Sequence, residues 1–106
     1  MGAPAHRGRI DFPRIAGSAL GFADTLCRRW LPDGRADGHE WVARNPKRSD
    51  HRPGSFKINL ATGRWGDFAE GSGGGDLISL AAYLFDLSQR DAALRISEML
   101  GINPYG

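Results

Sequence analysis

Apolar residues recur along this chain in two rhythms, one helical and one extended. Over residues 18–30, Ala19, Phe22, Ala23, Leu26, Cys27 and Trp30 are spaced by threes and fours, and Asp24, Thr25, Arg28 and Arg29 fall outside that stripe. The spacing predicts an amphipathic helix with Ser18 as N-cap, stopped by the turn Pro32-Asp33-Gly34. Residues 39–44, His-Glu-Trp-Val-Ala-Arg, have the aromatic and β-branched content of a strand. Asn45-Pro46 ends it, because proline has no N–H to give to a ladder. Residues 55–60 alternate, with Phe56, Ile58 and Leu60 on one face and Ser55, Lys57 and Asn59 on the other. Ala61-Thr62-Gly63 reads as a hairpin loop, Gly63 taking the left-handed conformation, and residues 64–68 return as the partner strand.

A glycine-rich joint, Gly71-Ser72-Gly73-Gly74-Gly75, leads into Asp76 and a strongly apolar helix marked by Leu77, Ile78, Leu80, Ala81, Leu84 and Phe85. A capping-box-like start at Ser88 to Asp91 opens a last helix with Ala92, Ala93, Ile96, Met99 and Leu100 inward, closed by Gly101. Residues 1–17 show no clear period and read as a flexible basic arm, followed by one domain over 18–106. The expected fold class is α+β, a small three-stranded antiparallel sheet with one N-terminal and two C-terminal helices.

Length and composition add constraints. The 106 residues fit a single domain near the lower end of what buries a core. No apolar run is long enough to span a bilayer and no signal-peptide core follows Arg7 and Arg9, so the expected location is cytoplasmic, without a membrane partner. Cys27 is the only cysteine, which excludes an internal disulfide and a cysteine-based zinc site, and its place on the apolar stripe makes it an inert core thiol. The net charge of +2 is small but unevenly spread. Arg44, Lys47, Arg48, Arg52, Lys57 and Arg64 crowd the strand region against Asp50, while Asp67, Glu70, Asp76, Asp86, Asp91 and Glu98 come later. Such a distribution suits a polyanion-binding face and equally a solvated charged surface.

Three kinds of chemistry can be tested on these residues. The glycine joint precedes a helix, where free N–H groups attract anions. No Lys-Ser/Thr follows the glycines, though, and Asp76 at the helix start repels a phosphate, so the joint is a matter of geometry. His6, His39 and His51 sit in an arm, at a strand start and in a loop, with no nucleophile–base pairing legible, which argues against an enzyme. A weaker reading keeps Asp67, Glu70 and Asp76 as a site for a hard cation.

Pro53-Gly54-Ser55-Phe56, then Asp67-Phe68, then Gly74-Gly75-Asp76-Leu77-Ile78 resemble the N-terminal zinc-ribbon domain of bacterial and phage DNA primases. The likeness runs from about Arg44 to Leu100 and is nearest the degenerate form at the start of phage and plasmid primase–helicases. In that family a Cys-Pro-x-His pair precedes the Pro-Ser-Phe strand, and an aromatic-x-Cys-Phe-x-Cys strand follows. Here those elements fall on Asn45-Pro46-Lys47-Arg48 and on residues 65–70, so Asn45, Arg48, Asp67 and Glu70 stand at the four ligand positions. They cannot form a tetrahedral zinc site, so no metal and no cofactor is expected; one alternative pairs Arg48 with Asp67 or Glu70 as a charged clasp.

The resemblance implies a non-catalytic DNA-binding module of a primase- or helicase-type replication protein. Its partners would be single-stranded DNA and primase or helicase catalytic domains. The residues expected to carry binding are Arg44, Lys47, Arg48, Arg52, Lys57 and Arg64 on phosphates, with Trp65 stacking on an unpaired base or buried in the core. The competing expectation is a protein–protein interaction or regulatory module that has lost DNA contact along with zinc.

Overall fold

The computed structural model describes residues 9–47 and 54–105. Helix α1 (Phe12–Leu20) begins well before Ser18: the Asp11 side chain accepts the Arg14 N–H at 3.2 Å and a proline occupies the first turn. Ile15 and Ala19, four residues apart, bury its inner face. The chain breaks at Gly21-Phe22 and resumes as α2 (Ala23–Trp30). The single N-terminal helix of the sequence reading is therefore two, Ser18 is interior rather than capping, and residues 12–17 belong to the fold rather than to an arm. Phe22, placed on the apolar stripe, sits at the break and is half exposed.

A five-stranded antiparallel sheet follows, in the order β1 (Arg35–Asp37), β2 (Glu40–Ala43), β3 (Phe56–Asn59), β4 (Trp65–Asp67) and β5 (Gly73–Gly74). Three strands were expected and all three are present. The two additional ones are the edges. β1 is three residues long and exposed throughout, so it has no alternation to read, and β5 is two glycines of the joint. Across the sheet, Trp41, Ile58, Trp65 and Gly74 form one row, and Ala43, Phe56 and Asp67 the next, all on the face turned to the core.

Helix α3 (Leu77–Phe85) is started by a capping box between Asp76 and Ser79, and α4 (Gln89–Leu100) by Ser88, whose side chain accepts the Asp91 N–H. Gly101 ends α4 in the left-handed conformation and Gly63 adopts it in the hairpin loop, both as expected. α1, α3 and α4 pack on one another, and α3 lies along β5. Leu77, Ile78, Leu80, Ala92, Ala93 and Ile96 are buried there, whereas Met99, expected inward, and Phe85, one of the apolar residues that mark α3, are nearly half exposed.

Each buried tryptophan of the sheet reaches across a glycine. Trp41 donates from Nε1 to the Leu31 carbonyl at 3.0 Å, and Trp65 from Nε1 to Ser79 Oγ at 2.9 Å. A Cβ on Gly34 would lie 2.3 Å from Trp41 Nε1, and one on Gly74 would lie 2.3 Å from Ser79 Oγ and 2.6 Å from Trp65 Nε1. The glycine joint is thus required where the indole crosses β5 to bind α3. Among the described residues no helix is long and apolar enough to cross a membrane.

Candidate nucleic-acid interface

Pleating decides which side chains leave the core. Since Trp65 and Asp67 point inward, Gly66 and Phe68 point the other way, and the same alternation puts Lys57 and Asn59 on that second face. The Asn59 N–H donates to the Arg64 carbonyl at 2.7 Å, and Phe68 N–H to the Ser55 carbonyl at 2.8 Å, so both residues continue the β3–β4 ladder beyond its ends. The open face carries a shallow groove of about 530 Å³ lined by Glu40, Lys57, Asn59, Arg64 and Phe68 and floored by Gly66 and Gly73. Phe68 is 74% exposed, and Lys57 Nζ stands 5.8 Å from its ring centre. Arg64 is exposed and makes no side-chain hydrogen bond or ion pair with the described residues. Glu40 lies 4.0 Å from Lys57 Nζ, both side chains well exposed, a pair that water screens heavily.

The other expected contacts separate from this groove. Trp65 is 8% exposed, its ring 5.9 Å from Phe56 and 4.9 Å from Tyr83, so a base cannot stack on it. The aromatic on the open face is its neighbour three residues on, Phe68, which the strand's own alternation could have revealed: a tryptophan in register with Ile58 puts Phe68 outside. Lys47 is held away from the face by an ion pair with Asp86 and a position 5.4 Å from the Tyr83 ring. Arg44 is exposed and lines a smaller cleft of about 200 Å³ with Trp30, Pro32 and Pro46. Arg48 and Arg52 lie outside the described residues, as do His6, His51 and the proposed Arg48 clasp.

Behind the sheet's inner face, three of the four positions where the primase resemblance implies metal ligands come together. Asn45 in the β2–β3 loop and Asp67 at the end of β4 are each only 1% exposed. Asn45 Nδ2 donates to Asp67 Oδ2 at 2.8 Å and to the Tyr83 hydroxyl at 2.7 Å, while its Oδ1 accepts the Lys47 N–H at 2.9 Å. The amide thereby uses both N–H bonds and its oxygen, which reconciles it with burial. Asp67 Oδ1 accepts the N–H groups of Ala69 at 2.9 Å and Glu70 at 3.2 Å. Tyr83, on α3, donates its hydroxyl to Glu70 Oε1 at 3.2 Å. Zinc does not fit this corner: the donors are an amide and carboxylates, and their buried atoms are committed to one another and to backbone N–H groups. Asp76 caps α3 instead of joining Asp67 and Glu70, and the described residues contain no group of three or more metal-ligating side chains, which removes the hard-cation reading.

Cys27 is fully buried, and burial, with a smaller contribution from the Asp24 charge, pushes its thiol up to about 12. As expected, it is a packed core thiol and not a nucleophile.

No protein-family profile matches the chain, and no curated protein is similar to it in sequence. A solved structure does share its fold: the Aquifex aeolicus primase, comprising zinc-binding and RNA polymerase domains, superposes with a TM-score of 0.75 at 21% identity over 89% of this chain. The chain spans 22% of that protein, so the likeness is to a part of a primase.

Proposed function

We infer that the chain is a non-catalytic module of a primase-type replication protein that binds single-stranded nucleic acid across the open face of its sheet. The observation that carries this reading is the exposed Phe68 ring beside Lys57 and Arg64 in one groove. A ring face, two cations and a glycine floor are what a splayed base and its flanking phosphates require. The fold shared with part of a primase supports the same direction, as an analogy of fold. Arg48 and Arg52 extend the cationic strip in sequence, and Arg44 and Lys47 lie away from the groove.

Fluorescence anisotropy with a labelled single-stranded oligonucleotide tests it. Wild-type protein should bind, Phe68→Ala should weaken binding about 5- to 150-fold, as loss of one stacked base would, and Lys57→Glu/Arg64→Glu should abolish it with the melting temperature kept. Unchanged affinity in the double reversal removes the reading.

A second reading, a protein–protein or regulatory module without DNA contact, is favoured by one observation. Phe85 and Met99 are 48% and 42% exposed beside Trp30 in a cleft of about 450 Å³ on the helical side. Size-exclusion chromatography of the protein with and without the oligonucleotide separates the two: a shift on adding DNA supports the first reading, and self-association without DNA binding supports the second.

A further inference from the structure

The fold neighbour contains a zinc-binding domain, yet the corner where Asn45 and Asp67 meet here is closed by hydrogen bonds that commit both buried side chains. We propose that Asn45, Asp67 and Tyr83 form a metal-free clasp that joins the β2–β3 loop to the β4–β5 turn and thereby positions Phe68 on the open face.

The geometry supports each part. Three chain segments far apart in sequence meet at one amide: Asn45 from the β2–β3 loop, Asp67 from β4 and Tyr83 from α3. A structural metal ties loops by the same logic, pulling side chains from separate hairpins onto one centre. Each loop is also shaped locally by its own Asx side chain. Asn45 Oδ1 takes the N–H two residues on, and Asp67 Oδ1 takes the N–H groups two and three residues on. Those bonds curl both turns around oxygens, where a metal-bound atom would otherwise be the centre of curvature. Glu70, at a fourth corner, is drawn in by the Tyr83 hydroxyl and by Ser72 Oγ at 2.9 Å. The Tyr83 ring closes the arrangement from above, stacked at 6.2 Å on Phe56 and 4.9 Å from Trp65.

Phe68 lies inside the turn that Asp67 organises, between the carboxylate and the two N–H groups it holds. The pleat points it outward, and the clasp on the opposite face of the sheet holds the turn that keeps it over Lys57. Asn45 and Tyr83 are positioning residues, and this last step rests on the reading of the open face as a binding surface.

Four measurements decide it: metal content, melting temperature, amide resonances and oligonucleotide affinity. Purified protein should contain no stoichiometric zinc and melt at the same temperature with and without EDTA; a chelator-dependent melting temperature overturns the proposal. Tyr83→Phe keeps the ring and deletes only the hydroxyl, and Asn45→Ala deletes the amide. Both should lower the melting temperature by about 5 °C or more and move the 1H–15N resonances of Phe68, Ala69 and Glu70. Unmoved resonances and melting in the folded Tyr83→Phe protein overturn it even if Asn45→Ala fails to fold. Asn45→Asp, which sets two buried carboxylates face to face, should melt lowest at neutral pH, and adding Asp67→Asn should recover much of the loss by exchanging amide and carboxylate. No recovery counts against a specific pair. Oligonucleotide affinity of Tyr83→Phe should fall severalfold with the open face untouched. If wild-type protein binds no oligonucleotide, the functional reading fails while melting, metal content and resonances still judge the clasp.

Discussion

Cys27 has 0% exposure on α2, buried together with Ala23 and Leu26. Its thiol is pushed up to about 12, first by burial and then by Asp24, so the folded state keeps the proton that an unfolded chain releases near pH 9. A group whose folded pKa is raised contributes fully below the unfolded pKa and loses that contribution as pH climbs through the folded one. Stability should therefore fall between about pH 9 and pH 12, with a slope approaching about 1.4 kcal/mol per pH unit from this group alone. Urea midpoints at pH 8 and pH 10.5 test it. Wild type should lose more over that interval than Cys27→Ala, which lacks the titrating group; parallel losses would show that other groups govern the alkaline limb. The same burial predicts that a thiol reagent leaves the native protein untouched and reacts once urea unfolds it.

At the level of elements, the glycines of the joint separate into required and replaceable. Gly74→Ala puts a methyl against Ser79 Oγ and the Trp65 indole and should cost about 1–3 kcal/mol, whereas Gly75 has nothing within 4 Å of its Cβ site, so Gly75→Ala should be near neutral. Denaturant melts of the two variants side by side check the contrast; equal losses would mean that the indole shifts freely. The central strands and α4 were legible in the sequence because alternation and caps mark them: Phe56 and Ile58 against Lys57, Ser88 before α4, Gly101 after it. The edges were not. β1 has no buried residue to create a period, and β5 has no side chain at all. Likewise α1 was hidden because its start signal, Asp11 before a proline, sits in a stretch otherwise rich in glycine and arginine. The candidate site was half legible. Lys57 could be placed on the open face, but the side taken by Arg64 stayed ambiguous around the hairpin loop, and Phe68 gave way to Trp65 because composition marks an aromatic while only register says which way it points. The clasp escaped because Tyr83 is too far along the chain from Asn45 and Asp67 for spacing to connect them, and only the fold brings its hydroxyl to the amide.

For the whole molecule, the relevant charge is local. The chain carries only +2, and acidic residues such as Asp24, Asp86, Asp91 and Glu98 belong to the helices and their termini, while the groove holds Lys57 and Arg64 against Glu40. Binding through that groove should then be weak but steeply salt-dependent, since each neutralised phosphate on a single strand contributes a slope of about −0.7 in log K against log salt. Two phosphate contacts give a slope near −1.4, so affinity should drop about sevenfold between 50 and 200 mM salt. A slope near −2.8 would mean that about four cations engage, bringing in residues such as Arg48 and Arg52. Phe68→Ala lowers affinity without changing the slope, because stacking releases no counterions, whereas removing Lys57 or Arg64 flattens it by about 0.7 each. A salt titration of wild type, Phe68→Ala and Arg64→Ala therefore separates the ring from the charges. If all three slopes coincide, Arg64 neutralises no phosphate and the path of the strand must leave the open face at β4.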